Sequence, residues 1–377
     1  MTALEEIFEL SSSNRNSAVK AWKENGGKMV GYWCSYIPCE LIHAAGLFPY
    51  KVKGLNANGT SRAEVYLTPV CTCKWSRSIV QLAYDAEYGF LDGLVGMNQC
   101  DHSRRAHEFW VRKIGVPFDH FVAVPHKMET EAALEWYTKG LLDLKNHLED
   151  HFHAPITSDA LIRSIDLFNE NRLLLKELQA CMKDKDPCIR GSDLHKVIIA
   201  GVSTPPERYN NLLKRLLKEI KERKSTTDYR ARIMICGWCG DDTTLRTILE
   251  DLGALVVADN SCFGTRDYWD LVEVEGDPLD SIARSYLNRT PCPRMMDGFA
   301  RRLAFTKEMV EQFAVDGIIL SRIQFCDLHG IDEFNFKLRE NFLGVPVSSP
   351  LIQEYGSQDI GRLKTRCEAF IEQIEKR

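Results

Sequence analysis

Thirteen cysteines in 377 residues demand a chemical explanation. Two sit in matching contexts. Asp92–Arg105 reads DGLVGMNQCDHSRR, and Asp316–Gly330 reads DGIILSRIQFCDLHG. Each stretch begins Asp-Gly, runs through apolar residues and ends in Cys-Asp, with a histidine close behind. The cysteines concerned are Cys100 and Cys326. Others fall at comparable places. Cys34 ends KMVGYWC, and Cys236 and Cys239 end ARIMICGWC. Cys71 and Cys73 lie in TPVCTCKWS at the start of a helical pattern, Cys262 in DNSCFGTR and Cys292 in TPCPRMM. Ten of the thirteen, Cys39 included, are expected at strand ends or helix starts, where the helix N-terminus stabilises a thiolate. Cys181, Cys188 and Cys367, in or beside helical stretches, read instead as small buried hydrophobes.

Three chemistries use such thiols. Zinc prefers paired C-x₂-C knuckles, but CGWC (Cys236–Cys239) is one pair without a second, so a zinc-stabilised protein is the bland alternative. A thioredoxin-like role for CGWC requires a helix to open there, and the following GDDTTLR fits that only in part. Single cysteines dispersed in sequence but gathered at one sheet edge suit an iron–sulfur cluster, whose usual ligands are thiolates.

The surrounding elements must bring them together. The length predicts two domains or one large one with ample core. Short apolar runs alternate with amphipathic helices over 1–128 and again over 226–377, which predicts two parallel-sheet, Rossmann-like α/β domains. Helical spacing over 129–225 predicts a helical middle segment. The two α/β parts correspond: AAGLFPYKVKG to DLGALVVADNS, and DGLVGMNQCD to DGIILSRIQFCD. This weak internal repeat places a cysteine at the carboxyl end of the same strand twice, the sheet edge where open α/β folds bind ligands. The net charge of −5, without a basic tail, argues against nucleic acid. No apolar run is long enough to span a bilayer, and the acidic, helical start lacks the features of a signal peptide, so a cytoplasmic protein without disulfides is expected.

The segments GYWCSYIPCELIHAAGLFPYKVKG, PVCTCKWS, GMNQCDHSRR and GIILSRIQFCDLHG together resemble the 2-hydroxyacyl-CoA dehydratase and benzoyl-CoA reductase family, in order and spacing, along nearly the whole chain. The resemblance implies two Rossmann-like domains with a cluster between them. Cys71, Cys100 and Cys326 match the trio that holds a [4Fe–4S] cluster with one open site. It also implies a separate ATP-hydrolysing iron–sulfur activator as electron donor, a homologous sister subunit or a homodimer, and an acyl-CoA substrate. In agreement, the chain has no G-x-x-x-x-G-K-[ST] loop. Dehydratases of the family remove water from a 2-hydroxyacyl-CoA through a ketyl radical, and the reductases reduce an aromatic acyl-CoA. One branch carries a double-cubane [8Fe–9S] cluster on six cysteines. Cys262 and Cys292 resemble two of its extra ligands, and Cys73 is a substitute for the sixth, which the stretch before Cys100 lacks.

Beside these, Glu40 and His43 follow the first strand in PCELIHAAG, in a stretch that the family places by the substrate. A carboxylate there can move a proton; the alternative is a helix-start carboxylate beside the dipole. Ser35 can donate to a thioester carbonyl or a cluster ligand, or cap a helix. The expectation is therefore an iron–sulfur subunit of an ATP-activated low-potential reductase of acyl-CoA thioesters. A 2-hydroxyacyl-CoA dehydratase subunit is the alternative, and an electron-relay subunit with no substrate of its own is the rival from another class.

Overall fold

The computed structural model describes residues 1–221, 229–237, 240–356 and 359–377. Two four-stranded parallel sheets form its framework. The first contains β1 (Met29–Tyr32), β2 (Phe48–Lys51), β3 (Gly93–Met97) and β4 (Phe118–Val122), in the order β2-β1-β3-β4. The second contains β5 (Ala231–Gly237), β6 (Ala254–Asp259), β7 (Gly317–Ile323) and β8 (Leu351–Gln353), in the order β6-β5-β7-β8. The orders are the same, so the repeat read from the sequence is a repeat of topology. β1, β2, β3, β5 and β6 are buried along their whole length. That is why they read as apolar runs rather than as alternating patterns: helices cover both faces of a parallel sheet.

In each sheet the chain moves to one side after the first strand and to the other side after the third. The crevice lies where that direction reverses, between β1 and β3 and between β5 and β7. Cys34 follows β1, Cys100 follows β3 and Cys326 follows β7, all at carboxyl ends.

The helical middle divides between the two sheets. Glu131–Phe152 packs Tyr137, Leu141, Leu144 and Leu148 into one cluster with Phe118 and Val122 of β4. Pro206–Lys221 places Leu212, Leu213, Leu216 and Ile220 in the cluster that holds Met234 and Leu320 of the second sheet. Across the two halves, the buried Asp241 accepts from Gly54 N–H at 2.5 Å and from Trp75 Nε1 at 3.0 Å.

Two boundaries differ from expectation. VPVSSP (Val345–Pro350) reads as the last strand, but pairing there is limited to a bridge between Val347 and Ile318, and β8 begins at Leu351. Pro346 and Pro350 carry no N–H to donate, so the ladder cannot run through them. The helix after Cys100 is α-helical only over Asp101–Phe109 and widens to a π turn at Trp110–Ile114.

Gly237 ends β5 with φ +131, and a Cβ there would lie 2.0 Å from the Ser321 carbonyl oxygen of β7. Gly237→Ala is expected to destabilise the protein by ~1–3 kcal/mol, since backbone rather than a flexible side chain must give way. A urea midpoint equal to that of the parent would show that the strands part without strain.

Candidate functional site

The two sheet edges face one cavity of about 400 Å³. Five thiols line it: Cys73, Cys100, Cys262, Cys292 and Cys326. Three of these are N-caps. Cys73 precedes the helix Lys74–Tyr84, Cys100 the helix Asp101–Phe109 and Cys326 the helix Asp327–Leu338, and none of the three spends its side chain on a capping hydrogen bond. Three helix N-termini therefore meet at the cavity with thiols that are not used as caps, and each favours negative charge.

Without a cation, burial holds these thiols in the neutral form. It pushes Cys73 up to about 11 and raises Cys100 and Cys326 as well. Cys292 is raised by its contact with the Cys262 thiol and by burial. Such a group becomes an anionic ligand set only when a metal replaces the protons. Among the described residues no three His, Cys, Asp or Glu side chains come close enough to share one metal ion. The thiols are spread around the cavity instead.

Positive charge is built in beside them. Arg266 donates to Cys262 Sγ at 2.9 Å. Arg294 is 2% exposed and is held by the carbonyls of Pro125 and Val124 at 2.9 and 3.0 Å. It has no carboxylate partner among the described residues, and its Nε, like the cavity-lining Gln99 Oε1, is buried without a hydrogen bond. Unsatisfied donors and acceptors of this kind mark a place where a further polar group belongs. Phe325, immediately before Cys326, has φ +69. For a bulky residue this is strained, and the strain sits at the turn that aims Cys326. His329, one turn into the same helix, is kept neutral: burial and the nearby Arg266, Arg302 and Arg322 push it down to about 3.

The sequence candidates separate clearly. Cys71 is exposed in the turn before Cys73 and does not line the cavity, whereas Cys73 does. Ser35 lies behind the cavity wall, where its hydroxyl donates to the Cys262 carbonyl at 3.4 Å. Glu40 is fully buried elsewhere, bonded to Arg172 and to the Tyr286 hydroxyl, both at 2.6 Å. His43 lies farther out, between Ser164 Oγ and Glu207, both at 3.0 Å. The structure brings neither Glu40 nor His43 to the thiols. Cys236, the last residue but one of β5, lies inside the second sheet's core, and Cys239 lies outside the described residues.

Sequence reasoning missed Asn98 and Lys51 and noted His102 only as the histidine close behind Cys100. Asn98 pairs with the Val124 backbone in both directions, at 3.0 and 2.8 Å, and so ties the ends of β3 and β4. His102 Nδ1 accepts from Cys73 N–H at 3.4 Å. Lys51, at 0% exposure, ion-pairs with Asp267 at 3.1 Å and donates to the Cys262 carbonyl at 2.7 Å. A lysine inside the buried strand FPYK is the one signal in the sequence that could have pointed to it.

Comparison with known proteins adds the family. The model of the family "2-hydroxyglutaryl-CoA dehydratase, D-component" matches residues 34–374. The chain is 26% identical to a benzoyl-CoA reductase subunit of Thauera aromatica over 82% of both chains. It is 24% identical to the (R)-phenyllactyl-CoA dehydratase beta subunit of Clostridium sporogenes over 94% of both. It is 23% identical to the beta subunit of (R)-2-hydroxyglutaryl-CoA dehydratase from Acidaminococcus fermentans, over 99% of this chain and all of that one. A thiol-lined cavity between two like sheets, on a chain matched almost end to end, leads to one conclusion: the protein belongs to the 2-hydroxyglutaryl-CoA dehydratase D-component family, among subunits of acyl-CoA dehydratases and reductases.

Proposed function

We propose that the chain is the iron–sulfur subunit of an ATP-activated, low-potential reductase acting on acyl-CoA thioesters. The observation that carries this reading is the cavity with five thiols, more than the three that a single open [4Fe–4S] cluster takes. The residues present fit such a cofactor in donor type, in the helix N-termini behind the donors and in the two guanidinium groups beside them. Cys100, Cys326 and Cys73 would hold it on one side, with Cys71, two residues before Cys73, as an alternative to it. Cys262 and Cys292 would hold it on the other. When bound, the cluster supplies a low-potential electron. Arg266 and Arg294 supply positive charge, which raises the potential and offsets the thiolates. Asn98, Lys51 and His102 hold the turns that aim the ligands.

The acyl-CoA and the sister subunit are carried over from the named relatives. One surface supports a partner. Ile331, Phe334 and Leu338 stand 60–66% exposed on the outer face of the helix that Cys326 caps, with Phe342 just beyond. An apolar strip of this kind marks an interaction surface, and we assign it to the sister subunit. ATP hydrolysis is assigned to a separate activator.

The second reading, a 2-hydroxyacyl-CoA dehydratase with one [4Fe–4S] cluster, is favoured by the names of two of the three relatives. Purification without oxygen, followed by assay of iron, zinc and acid-labile sulfide per chain, separates the two. About eight irons with slightly more sulfide are expected, and about four would turn the assignment to the dehydratase. Zinc without sulfide would end both readings.

A further inference from the structure

Cys181 and Cys188 lie apart from the site described above. The sequence reads both as small buried hydrophobes, but each is only half-buried. Cys181 follows the helix Ser158–Ala180 and opens a tight turn, Cys181–Lys183, while Cys188 comes shortly before the helix Gly191–Gly201. The short segment between them folds back and brings the two thiols into hydrogen-bond contact. That segment is fixed at both ends. Met182, beside Cys181, and Ile189, beside Cys188, are both buried in the second sheet's core. Arg232, at the amino end of β5, donates to the Met182 carbonyl and, at 3.1 Å, to the Asp184 carbonyl. The Asp184 N–H donates to the Cys181 carbonyl at 3.3 Å. Only the tip, residues 183–186, is exposed. The pair therefore sits by the amino end of the second sheet, whereas the cavity thiols gather at the carboxyl ends, and neither Cys181 nor Cys188 lines the cavity. Thiols that serve only as core filling are enclosed and inert. These two touch each other and are open to solvent.

We propose that Cys181 and Cys188 form a reversible disulfide, a redox modification site whose oxidant is a small-molecule disulfide. One protein thiol gives its proton to solvent, and its thiolate attacks a sulfur of the small disulfide. A mixed disulfide forms and one small thiolate leaves. The second protein thiol, likewise deprotonated, attacks the protein sulfur of the mixed disulfide and expels the other small thiolate. Two protein thiols thus become one disulfide, one small disulfide becomes two small thiols, and the two protons pass from the first pair to the second. Contact between the thiols makes the second attack intramolecular, so the mixed disulfide is resolved rather than retained. The new bond joins the end of the helix Ser158–Ala180 to the approach of Gly191–Gly201.

The test treats the full chain, reduced and desalted, with oxidised glutathione, traps the remaining thiols by alkylation and digests with trypsin. Cleavage after Lys176, Lys183, Lys185 and Arg190 puts the two cysteines on separate peptides. Mass spectrometry should find Glu177–Lys183 linked to Asp186–Arg190, and dithiothreitol should separate them. Closure is expected to be at least ~10-fold faster in the folded chain than in urea, because the fold, and not the short spacing alone, holds the thiols together. Equal rates overturn the proposal. So do two cysteines that stay free, two that each keep their own glutathione, or a link from either to a third cysteine. Iron content has no part in this readout, so failure here leaves the iron–sulfur reading standing.

Discussion

Cys100→Ala and Cys326→Ala, each purified without oxygen, are expected to lose at least half of the iron per chain and to lose activity by more than ~100-fold. Removing a residue that merely orients a metal ligand typically costs about 10–100-fold in metal affinity or activity, so removing the ligand itself should exceed that range. Both cysteines are only partly buried at the cavity, Cys326 at the edge of the first sheet's core, and each truncation removes a single sulfur atom. Loss of fold is therefore a poor explanation for lost iron, and thermal unfolding of the iron-free proteins should stay within about 1 kcal/mol of the iron-free parent. Cys367→Ala is the control. That thiol is on the buried face of the C-terminal helix Ile360–Glu375, packed in the second sheet's core and outside the cavity lining, and its loss should reduce stability while leaving iron unchanged. Full iron in Cys100→Ala would remove the cavity from consideration as a cluster site.

Glu40→Ala carries the largest expected effect on stability. Its carboxylate is completely buried, with Arg172 at 2.6 Å on one oxygen and the Tyr286 hydroxyl at 2.6 Å on the other. Removing it strands a buried guanidinium, which costs about 3–5 kcal/mol. The double variant Glu40→Ala with Arg172→Met should recover much of that, because the charge left behind, rather than the missing contact, dominates. The pH dependence has a definite sign. Burial alone would raise this carboxyl, but the Arg172 charge and the Tyr286 hydrogen bond outweigh it and hold the pKa below the usual 4.5. The stabilisation is thus fully present above pH 4.5 and disappears as the pH falls through the lower folded-state value. The urea midpoints of parent and Glu40→Ala should lie far apart at pH 7 and converge in acid. Equal midpoints at pH 7, with turnover lost, would instead support the proton-transfer role that the sequence alone suggests for Glu40.

Much of the framework was legible from residue order. Parallel strands buried on both faces are rich in apolar residues, so GLVGM and the GIIL that opens GIILSRI stand out from the amphipathic helices between them. The repeat of Asp-Gly, apolar run and Cys-Asp therefore located two equivalent strand ends, and the equal strand orders follow from it. The end of the last strand was less legible, because the proline-bounded VPVSSP has strand-like composition but lacks the donors a ladder needs.

The sequence by itself determined that this protein has two like sheets, and that most of its cysteines lie at strand ends or helix starts. Those are local properties, set by side-chain periodicity and by where helices begin. Only the tertiary structure decided which of those cysteines meet. Cys71 and Cys73 are two residues apart, yet only Cys73 caps the helix and reaches the cavity. Glu40 looks like a free carboxylate until Arg172 and Tyr286 arrive from 132 and 246 residues away. Cys34 is joined to Cys262 and Cys292 through Ser35 and Tyr36, contacts that span 227 and 256 residues. Burial and charge compensation depend on such distant partners, and periodicity along the chain carries no record of which partner packs against which.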